Sequence, residues 1–281
     1  MKRIKVKNQA FLTKNKRVSK KPKIYDCFLF FNELELLEIR LNVLNSVVDY
    51  FVLVESTKTF TNHDKPLHYK ENKEKFKDFN DKIIHIIIDD LPPYTGEKNA
   101  EGEIWEYDFY QRNQIVRGLT NADKEDIIIL SDLDEIANPK VVSAFRQENE
   151  IACLQMFIFY YHLNQLRHEK WYMAKVFKKK HLENYSPQEL RDLTGSMKVY
   201  PNAGWHFSYL GNKEKIEYKL KNTAHQQFNT DKIVGEIEYK MNNGIDLFDR
   251  AIKMTVIDVD ENYPEYILNN KEKYKHLIKG K

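Results

Sequence analysis

Four short runs of apolar residues constrain the fold of this chain more than any other feature. They occupy residues 24–31, 50–55, 82–88 and 126–130, and each is rich in β-branched, leucine or aromatic side chains. A polar or helical segment separates each run from the next. Strands that are apolar along most of their length and alternate with helices are typical of a parallel sheet covered on both faces. The sequence therefore predicts an α/β domain with a mixed, mostly parallel sheet flanked by helices.

The sequence predicts one strongly periodic helix and several less regular ones. After Asn32, leucines recur at steps of three and four residues through Leu34, Leu37, Leu41 and Leu44, which predicts an amphipathic helix. Further helices are expected at residues 70–79, 105–119, 141–147 and 263–281. The second half of the chain is rich in aromatic side chains, and we expect mixed strands there that complete the sheet beside an aromatic cleft.

Charge is distributed unevenly along the 281 residues. The chain carries 45 Lys and Arg against 42 Asp and Glu, a formal net charge of +3. Residues 1–23 hold ten of the basic residues and no acidic one, which leaves 35 basic and 42 acidic residues, a net of −7, in the remainder. We interpret residues 1–23 as a flexible basic arm, with peripheral contact to an anionic membrane as the alternative. The acidic body does not indicate a nucleic-acid partner.

The sequence also bears on the cellular setting. No segment approaches the roughly 18 to 20 consecutive apolar residues that span a bilayer. The basic N-terminus is not followed by the apolar stretch of about 7 to 15 residues that a signal peptide requires. Cys27 and Cys153 are the only cysteines, so a disulfide framework and paired cysteine ligands for zinc are excluded. We therefore expect a cytoplasmic protein without a transmembrane segment.

The triplet Asp132-Leu133-Asp134 is the most informative motif. It follows four apolar residues, 127–130, which places it at the carboxyl end of a predicted strand, where ligands bind in parallel sheets. On an extended segment, alternation directs both carboxylates to the same side. Two carboxylates can bind one Mg²⁺ or Mn²⁺ and leave positions for phosphate oxygens and water. The alternative is a solvated loop, but the buried strand before the triplet favours the metal site.

Several other enzyme classes are disfavoured by missing motifs. The nine glycines form neither a dinucleotide-binding nor a P-loop pattern, which disfavours a dehydrogenase or a kinase. The Gly-x-Ser-x-Gly and His-Glu-x-x-His motifs of hydrolases are absent as well. The remaining common use of Asp-x-Asp on a parallel sheet is to hold the metal that bridges the two phosphates of a nucleotide-sugar.

Blocks of residues along the chain resemble glycosyltransferase family 17. The matching blocks are YDCF at 25–28, FNELELLEIR at 31–40, FVLVE at 51–55, TFT at 59–61, YQRNQ at 110–114, LSDLDEI at 130–136, AGWHFSY at 203–209 and AHQQFN at 224–229. The resemblance covers roughly residues 24–275. It implies a GT-A type, Rossmann-like fold in one catalytic domain, with a nucleotide-sugar half at 24–138 and an acceptor half with C-terminal helices at 139–281. It also implies a nucleotide-sugar donor, a divalent metal and inversion at the anomeric carbon.

The motifs and the resemblance together nominate candidate site residues. The metal ligands are Asp132, Asp134 and His225. The groups that contact the donor are Glu55, Arg112, Arg191, His206 and Lys219. The candidates for the general base are Glu135 and Asp192, and the sequence does not choose between them. Arg112 has the alternative of a surface ion pair with Asp108, Glu55 that of a helix-capping carboxylate, and each histidine that of a structural residue. Trp171, Trp205 and Tyr209 are candidate sugar-stacking faces, and Gln227 stands where the resemblance leads us to expect a glutamate.

The predicted function is a metal-dependent inverting glycosyltransferase. It would use Mn²⁺ or Mg²⁺ to move a sugar, N-acetylglucosamine in first place, from a UDP-sugar to a hydroxyl of a glycan or glycoconjugate. Two alternatives remain from the residues alone. A metal-dependent phosphohydrolase or nucleotidyltransferase also gathers acids at strand ends, and a non-catalytic glycan-binding module would keep the aromatic cleft without turnover.

Overall fold

A computed structural model describes residues 21–145, 148 and 150–280. Most of the predicted basic arm, residues 1–20, therefore lies outside the described residues. The last residue of that arm is tied to the domain, because the backbone N–H of Lys23 donates a hydrogen bond of 2.8 Å to the carboxylate of Asp126. The ammonium group of Lys23 also donates to the hydroxyl of Tyr50 at 3.2 Å.

The elements alternate as expected in the first half of the chain. In chain order, the elements of this half are β1 (Ile24–Phe30), α1 (Leu34–Leu44), β2 (Tyr50–Ser56), α2 (His68–Glu71), a 3₁₀ helix (Lys73–Phe79), β3 (Ile83–Ile88), α3 (Glu106–Asn113), a second 3₁₀ helix (Gln114–Leu119), β4 (Ile127–Leu130), β5 (Glu135–Ala137) and α4 (Pro139–Ala144).

Strands dominate the centre of the second half, and helices follow them. The elements are β6 (Ala152–Leu154), β7 (Met156–Tyr160), β8 (Gln165–Trp171), β9 (Lys175–Lys178), a 3₁₀ helix (Lys179–Glu183), α5 (Pro187–Asp192), β10 (Lys198–Tyr200), β11 (Gly204–Ser208), α6 (Lys213–Asn222), a 3₁₀ helix (Gln226–Phe228), α7 (Asp231–Asn243), β12 (Met254–Val256), α8 (Glu265–Asn269) and a last 3₁₀ helix (Lys275–Leu277).

Two sheets organise these strands. The larger has seven strands in the order β10-β6-β9-β4-β1-β2-β3. Within it β1 pairs in parallel with β2 and β4, and β2 with β3, whereas β9 runs antiparallel to β4 and β6. The smaller sheet has the order β12-β8-β7-β11-β5 and is mostly antiparallel. The α/β class with a mixed, mostly parallel main sheet flanked by helices is thereby confirmed.

The central strands of the main sheet, β1, β2 and β4, are buried on both faces, which explains their nearly continuous apolar runs. In β4, Ile127 and Ile129 belong to the larger core cluster together with α1, while Ile128 and Leu130 face the other cluster. Side chains alternate across a strand, so a strand covered on both faces needs apolar residues at every position. The same strand directs its carboxyl end toward the Asp132 motif.

Three details differ from the expectations. The helix at 70–79 is a short α2 followed by a 3₁₀ helix, because Asn72 interrupts the α-helical backbone with φ −110° and ψ 15°. The C-terminal segment is not one helix but α8 and a separate 3₁₀ helix, since Asn270 leaves the helical conformation at φ −125°. The later strands do not all complete the main sheet, because five strands form the second one.

Two further observations concern the membrane and the thiols. Among the described residues, no helix has the length and apolar character needed to cross a bilayer. Cys27 and Cys153 are both buried free thiols, and burial raises the pKa of each.

Candidate active site

A cavity of about 520 Å³ opens where the parallel strands of the main sheet end. This volume lies in the range of small-molecule sites. The residues that follow β1, β2 and β4 line one side of it, including Phe31, Thr59 and Asp132. Side chains of the second sheet and of the C-terminal elements line the other, including Tyr160, His206 and Phe248. The cavity is thus shared by the two halves of the chain.

The Asp132 motif forms a turn rather than an extended segment. The backbone N–H of Glu135 donates to the carbonyl of Asp132 at 3.0 Å, and β5 then begins at Glu135. The expected alternation is therefore wrong in its local geometry. Both Asp132 and Asp134 nevertheless line the cavity, because the turn directs the two side chains to it.

Arg40 shapes this turn from within the core. Its side chain is fully buried and forms a bidentate pair with the fully buried Asp26 of β1, at 2.6 and 2.8 Å. The same guanidinium donates to three backbone carbonyls of the turn, those of Asp132 at 2.6 Å and of Leu133 and Glu135 at 3.0 Å each. Arg40 therefore links α1, β1 and the turn that carries the two aspartates.

Asp132 lies between two guanidinium groups. Arg112 of α3 donates to one carboxylate oxygen at 2.9 Å, and Arg191 of α5 donates to the other at 2.6 Å. Burial by itself raises the pKa of Asp132, but the charges of Arg191 and Arg112 outweigh it and hold the pKa below its ordinary value. Arg112 also pairs with Asp108 at 2.9 Å, but both side chains are buried, so this ion pair is not the surface pair of the alternative, and Arg112 lies at the motif as well.

Asp134 has its own cationic partners. Lys219 of α6 donates to it at 3.1 Å, and Nε2 of His206 lies 3.5 Å from its other oxygen. Burial opposes ionisation, but Lys219 and His206 hold the pKa of Asp134 well below its ordinary range. In return, burial lowers the pKa of Lys219 but Asp134 and Glu33 raise it well above its usual value. Both aspartates are consequently ionised at neutral pH.

The two candidates for the general base have opposite environments. Glu135 has no exposed surface, and its oxygens accept hydrogen bonds from Arg191, from the indole of Trp171 at 2.6 Å and from the backbone of Asp132 at 3.0 Å. It does not line the cavity. Asp192, at the end of α5, is exposed and does line it. One of its oxygens accepts from Gln188 at 2.7 Å, and Gln188 in turn accepts from Arg112 at 2.5 Å.

Glu55 and His225 are not brought to the two aspartates. Glu55 is fully buried and does not line the cavity; it accepts from the backbone of Tyr69 at the start of α2 at 2.9 Å and lies 2.9 Å from Nε2 of His85. The structure thus places Glu55 as a helix-capping carboxylate, which was the alternative to a donor contact. His225 lines the cavity, but its Nδ1 lies 2.8 Å from Glu103.

Aromatic side chains form a continuous surface along one side of the cavity. We call it the aromatic wall: Trp105, Phe109, Tyr209, Phe228 and Phe248. Neighbouring ring centroids along it lie 4.2 to 5.6 Å apart within the pairs Phe228–Phe248, Tyr209–Phe248 and Trp105–Phe109, and His225 lies between Trp105 and Phe248 at 5.0 and 6.2 Å. Of the three predicted stacking residues, Tyr209 belongs to the wall and Trp171 lines the cavity elsewhere. Trp205 does not line it, because its indole donates to the carbonyl of Asn262.

The sequence carries no signal that marks the roles of three further residues. Arg40 falls within the helical block at 31–40, Glu103 belongs to no motif, and Gln111 lies in the block at 110–114 beside Arg112. Gln111 is 4% exposed, lines the cavity, and has no partner for its amide nitrogen among the described residues. Buried polar groups in native proteins nearly always have partners, so an unpaired amide at a cavity indicates a group that water or a ligand satisfies.

The two aspartates fit a hard divalent cation. They supply ionised oxygen ligands with unused lone pairs, since a carboxylate has about four acceptor positions and each aspartate uses only two or fewer with its neighbours. Within the described part of the chain, no three His, Cys, Asp or Glu side chains are gathered into a metal cluster. This pattern suits Mg²⁺-like binding, in which one or two carboxylates are supplemented by water and substrate phosphates.

Comparison with known proteins identifies the family. The model of glycosyltransferase family 17 matches residues 2–281. The chain belongs to glycosyltransferase family 17. The family match also includes the basic N-terminal segment, which lay outside the resemblance at 24–275.

Curated relatives of this family member carry one name. The human and the rat β-1,4-mannosyl-glycoprotein 4-β-N-acetylglucosaminyltransferases are each 32% identical over 111 residues, and the mouse protein is 31% identical. The aligned part covers 37% of this chain and 20% of each relative, so the match spans about a fifth of their length.

Solved structures are similar at a greater distance. HddC from Yersinia pseudotuberculosis, complexed with GMP-PN, aligns with a TM-score of 0.38 and 12% identity over 74% of this chain and 99% of that one. Glucosyl-3-phosphoglycerate synthase from Mycobacterium tuberculosis, in complex with Mn²⁺, UDP-glucose and glycerol 3-phosphate, aligns with a TM-score of 0.28 and 13% identity over 50% of this chain and 44% of that one.

Proposed function

We propose that this family 17 protein is a metal-dependent inverting glycosyltransferase. It transfers a sugar, N-acetylglucosamine in first place, from a UDP-sugar to a hydroxyl of a glycan or glycoconjugate. The observation that carries the proposal is the pair of ionised aspartates, Asp132 and Asp134, that face a cavity at the carboxyl ends of parallel strands. The names of the curated relatives support N-acetylglucosamine as the sugar.

The chain's own cations bind and orient the diphosphate of the donor. Arg112 and Arg191 hold Asp132 and line the cavity, as Lys219 does beside Asp134. A guanidinium binds phosphate oxygens bidentately and keeps its charge at any working pH. A divalent cation held by Asp132 and Asp134 would neutralise charge on the diphosphate leaving group. His206 is placed beside Asp134 and its Nδ1, which has no partner among the described residues, is a further candidate for a donor contact.

Asp192 is the proposed general base. In an inverting transfer, the oxygen of the acceptor hydroxyl forms a bond to the anomeric carbon while the bond from that carbon to the phosphate oxygen breaks, and the base takes the hydroxyl proton. Asp192 lines the cavity and keeps one oxygen without a donor among the described residues. Gln188 connects it to Arg112 and so to the diphosphate site. Glu135 instead orients Arg191 and Trp171.

The metal and the donor are tested together by calorimetry of UDP with and without Mn²⁺. We expect tight UDP binding that requires the ion and that Asp132→Asn and Asp134→Asn each abolish, together with hydrolysis or transfer of a UDP-sugar. Full turnover in the presence of EDTA would contradict the metal proposal. Turnover of phosphate esters without a sugar acceptor would favour a phosphohydrolase or nucleotidyltransferase, and no UDP binding would favour a glycan-binding module.

The base is tested by Asp192→Asn. A general base contributes roughly 10²- to 10⁴-fold, so kcat for glycosyl transfer should fall by at least about 100-fold while the Kd of UDP stays within a factor of two. Asp81→Asn is the matched control, since Asp81 is exposed and does not line the cavity. An unchanged kcat in Asp192→Asn would show that another residue is the general base.

The setting of the protein belongs to the same proposal. We infer an intracellular, cytoplasmic location from the two free cysteines. We also infer that residues 1–23 make a peripheral contact with an anionic membrane. Binding of the full chain to anionic and neutral vesicles, compared with a chain that lacks residues 1–23, tests the second point.

A further inference from the structure

Glu103 is the centre of a hydrogen-bond cluster next to the cavity. Its carboxylate accepts from the side chains of Asn99 at 2.9 Å, Trp105 at 2.8 Å and Gln227 at 3.0 Å. Nδ1 of His225 lies 2.8 Å from the same carboxylate. A backbone hydrogen bond of 2.9 Å from Ile104 to Ala224 joins the two segments. Gln227, where the resemblance leads us to expect a glutamate, is thus one of the donors to Glu103.

This cluster fixes the orientation of the His225 ring. Burial opposes ionisation of Glu103, but the four donors outweigh it and lower its pKa to about 2. An ionised carboxylate only accepts hydrogen bonds, so Nδ1 of His225 carries the hydrogen and donates a hydrogen bond to Glu103. In the neutral imidazole, Nε2 is then an acceptor, and no described residue donates to it.

His225 lies within the aromatic wall. Trp105 meets its ring edge-on at 5.0 Å and 83°, and Phe248 and Phe228 lie at 6.2 Å on the other sides. The side chain of His225 is 36% exposed and contributes to the cavity surface. An aromatic surface with one fixed polar atom in it is complementary to a pyranose, which has an apolar C–H face and hydroxyl groups around its rim.

The wall lies beside the diphosphate site and not within it. Nucleotides bind outside the carboxyl ends of parallel strands, which here are the ends of β1, β2 and β4. The wall is built instead from Trp105 and Phe109 at the start of α3, from Tyr209 directly after β11, from Phe228 after α6, and from Phe248. The two regions meet through Lys219, whose Nζ pairs with Asp134 and lies 5.5 Å from the ring centroid of Tyr209.

We propose that Glu103 and His225 form a dyad that recognises a pyranose of the acceptor, with the ring against the aromatic wall and one hydroxyl donating to Nε2 of His225. The inference rests on the proposed function and deepens it, because it assigns the acceptor subsite. Glu103 acts through His225 and is a positioning residue. Nothing in this role involves the metal or the donor.

Saturation-transfer NMR tests the dyad with the full-length chain. The probes are the methyl pyranosides of mannose, glucose, galactose and N-acetylglucosamine, each titrated in the presence of UDP and Mg²⁺. We expect at least one of them to bind and His225→Ala, Glu103→Gln and Trp105→Leu each to weaken its Kd about fivefold, the effect of one neutral hydrogen bond or one stacked ring. The Kd of UDP, measured by calorimetry, should stay within a factor of two.

Matched controls separate this role from a general structural one. Glu101→Gln and His168→Ala change exposed residues of the same types that do not line the cavity, and should leave both Kd values unchanged. Absence of binding by every glycoside, unchanged glycoside Kd values in the three variants, or a parallel loss of UDP binding would each overturn the dyad. Failure of the wild-type chain to bind UDP with a metal would instead overturn the proposed function.

Discussion

Replacing Arg40 should reveal how much the Asp132 turn depends on a single buried side chain. In Arg40→Met the carboxylate of Asp26, which has no exposed surface, stays behind without its partner. Removing one member of a buried ion pair costs about 3–5 kcal/mol. Three carbonyls of the turn lose a donor as well. Those of Asp132 and Glu135 keep a second donor, the N–H of Glu135 and the hydroxyl of Ser131, so the further cost of about 1–3 kcal/mol for an unsatisfied group applies to the carbonyl of Leu133. We expect a loss of unfolding free energy of at least about 3 kcal/mol.

The partner variant separates the ion pair from the turn. In Asp26→Asn the guanidinium keeps the three carbonyls and the hydroxyl of Ser131, at 2.7 Å, as acceptors. Asp26→Asn should therefore cost less than Arg40→Met and should leave metal-dependent donor turnover within a few-fold of the wild type. The double variant should fall between the single ones, because it removes the unpaired charge but still deprives the carbonyl of Leu133 of its donor.

Urea denaturation followed by circular dichroism gives these free energies by linear extrapolation. Arg117→Met is the control, because Arg117 forms a bidentate pair with Asp90 on the surface and should cost less than about 1 kcal/mol. A cost below about 1 kcal/mol for Arg40→Met, or a cost for Asp26→Asn equal to it, would refute the reasoning that the guanidinium holds the turn.

Other variants test the remaining features of the site. Arg191→Lys keeps the charge but loses the planar guanidinium that binds Glu135 through two nitrogens. The unfolding free energy should fall by about 1–3 kcal/mol and the donor KM should rise. Wild-type values in both assays would contradict this. Gln111→Leu removes an unpaired buried amide, so the thermal midpoint of the ligand-free protein should hold or rise while the Kd of UDP-N-acetylglucosamine weakens about tenfold in calorimetry; an unchanged Kd would exclude a donor contact. The lowered pKa of Glu103, about 2 against an ordinary 4.5, contributes stability that is present above pH 4.5 and lost as the pH falls toward 2. The difference in urea midpoint between wild type and Glu103→Gln should therefore shrink as the pH falls from 5 to 2.5. A constant difference would mean that the neighbouring donors do not lower the pKa of Glu103.

The parts of this protein that follow from local sequence could be predicted. The apolar runs define β1, β2 and β4 because a strand buried on both faces needs apolar residues along nearly its whole length. The edge strand β3 is only half-buried, but it is also rich in isoleucine. The position of Asp132 at the end of β4 follows from the same rule. The prediction of a single C-terminal helix was wrong. Its apolar stripe continues past Asn270, but Asn270, the second residue of an Asn-Asn pair, leaves the helical conformation and ends α8.

Contacts between distant segments left no local signal. Arg40 looks like a residue of an ordinary amphipathic helix, although it binds a turn more than 90 residues away. Glu103 and His225 are 122 residues apart in the sequence, and they meet only because the segment before α3 packs against the segment after α6. Glu135 follows Asp134 directly and has the same chemistry, yet the turn directs one side chain to the cavity and the other, at the start of β5, into the core.

The charges around the two aspartates explain why the metal and donor proposals depend on each other. Each aspartate belongs to a chain of ion pairs with more carboxylates than Lys and Arg side chains: Asp108, Arg112, Asp132, Arg191 and Glu135 in one, and Glu33, Lys219 and Asp134 in the other. Burial raises the pKa of Asp108, Arg112 opposes this, and the charge of Asp132 adds to it, so Asp108 and Asp132 repel each other within the first chain. A diphosphate would add negative charge to this surplus, whereas a divalent cation offsets it. In the proposed function, a cation that offset this surplus would leave Arg112, Arg191 and Lys219 able to interact with the donor as well as with the aspartates.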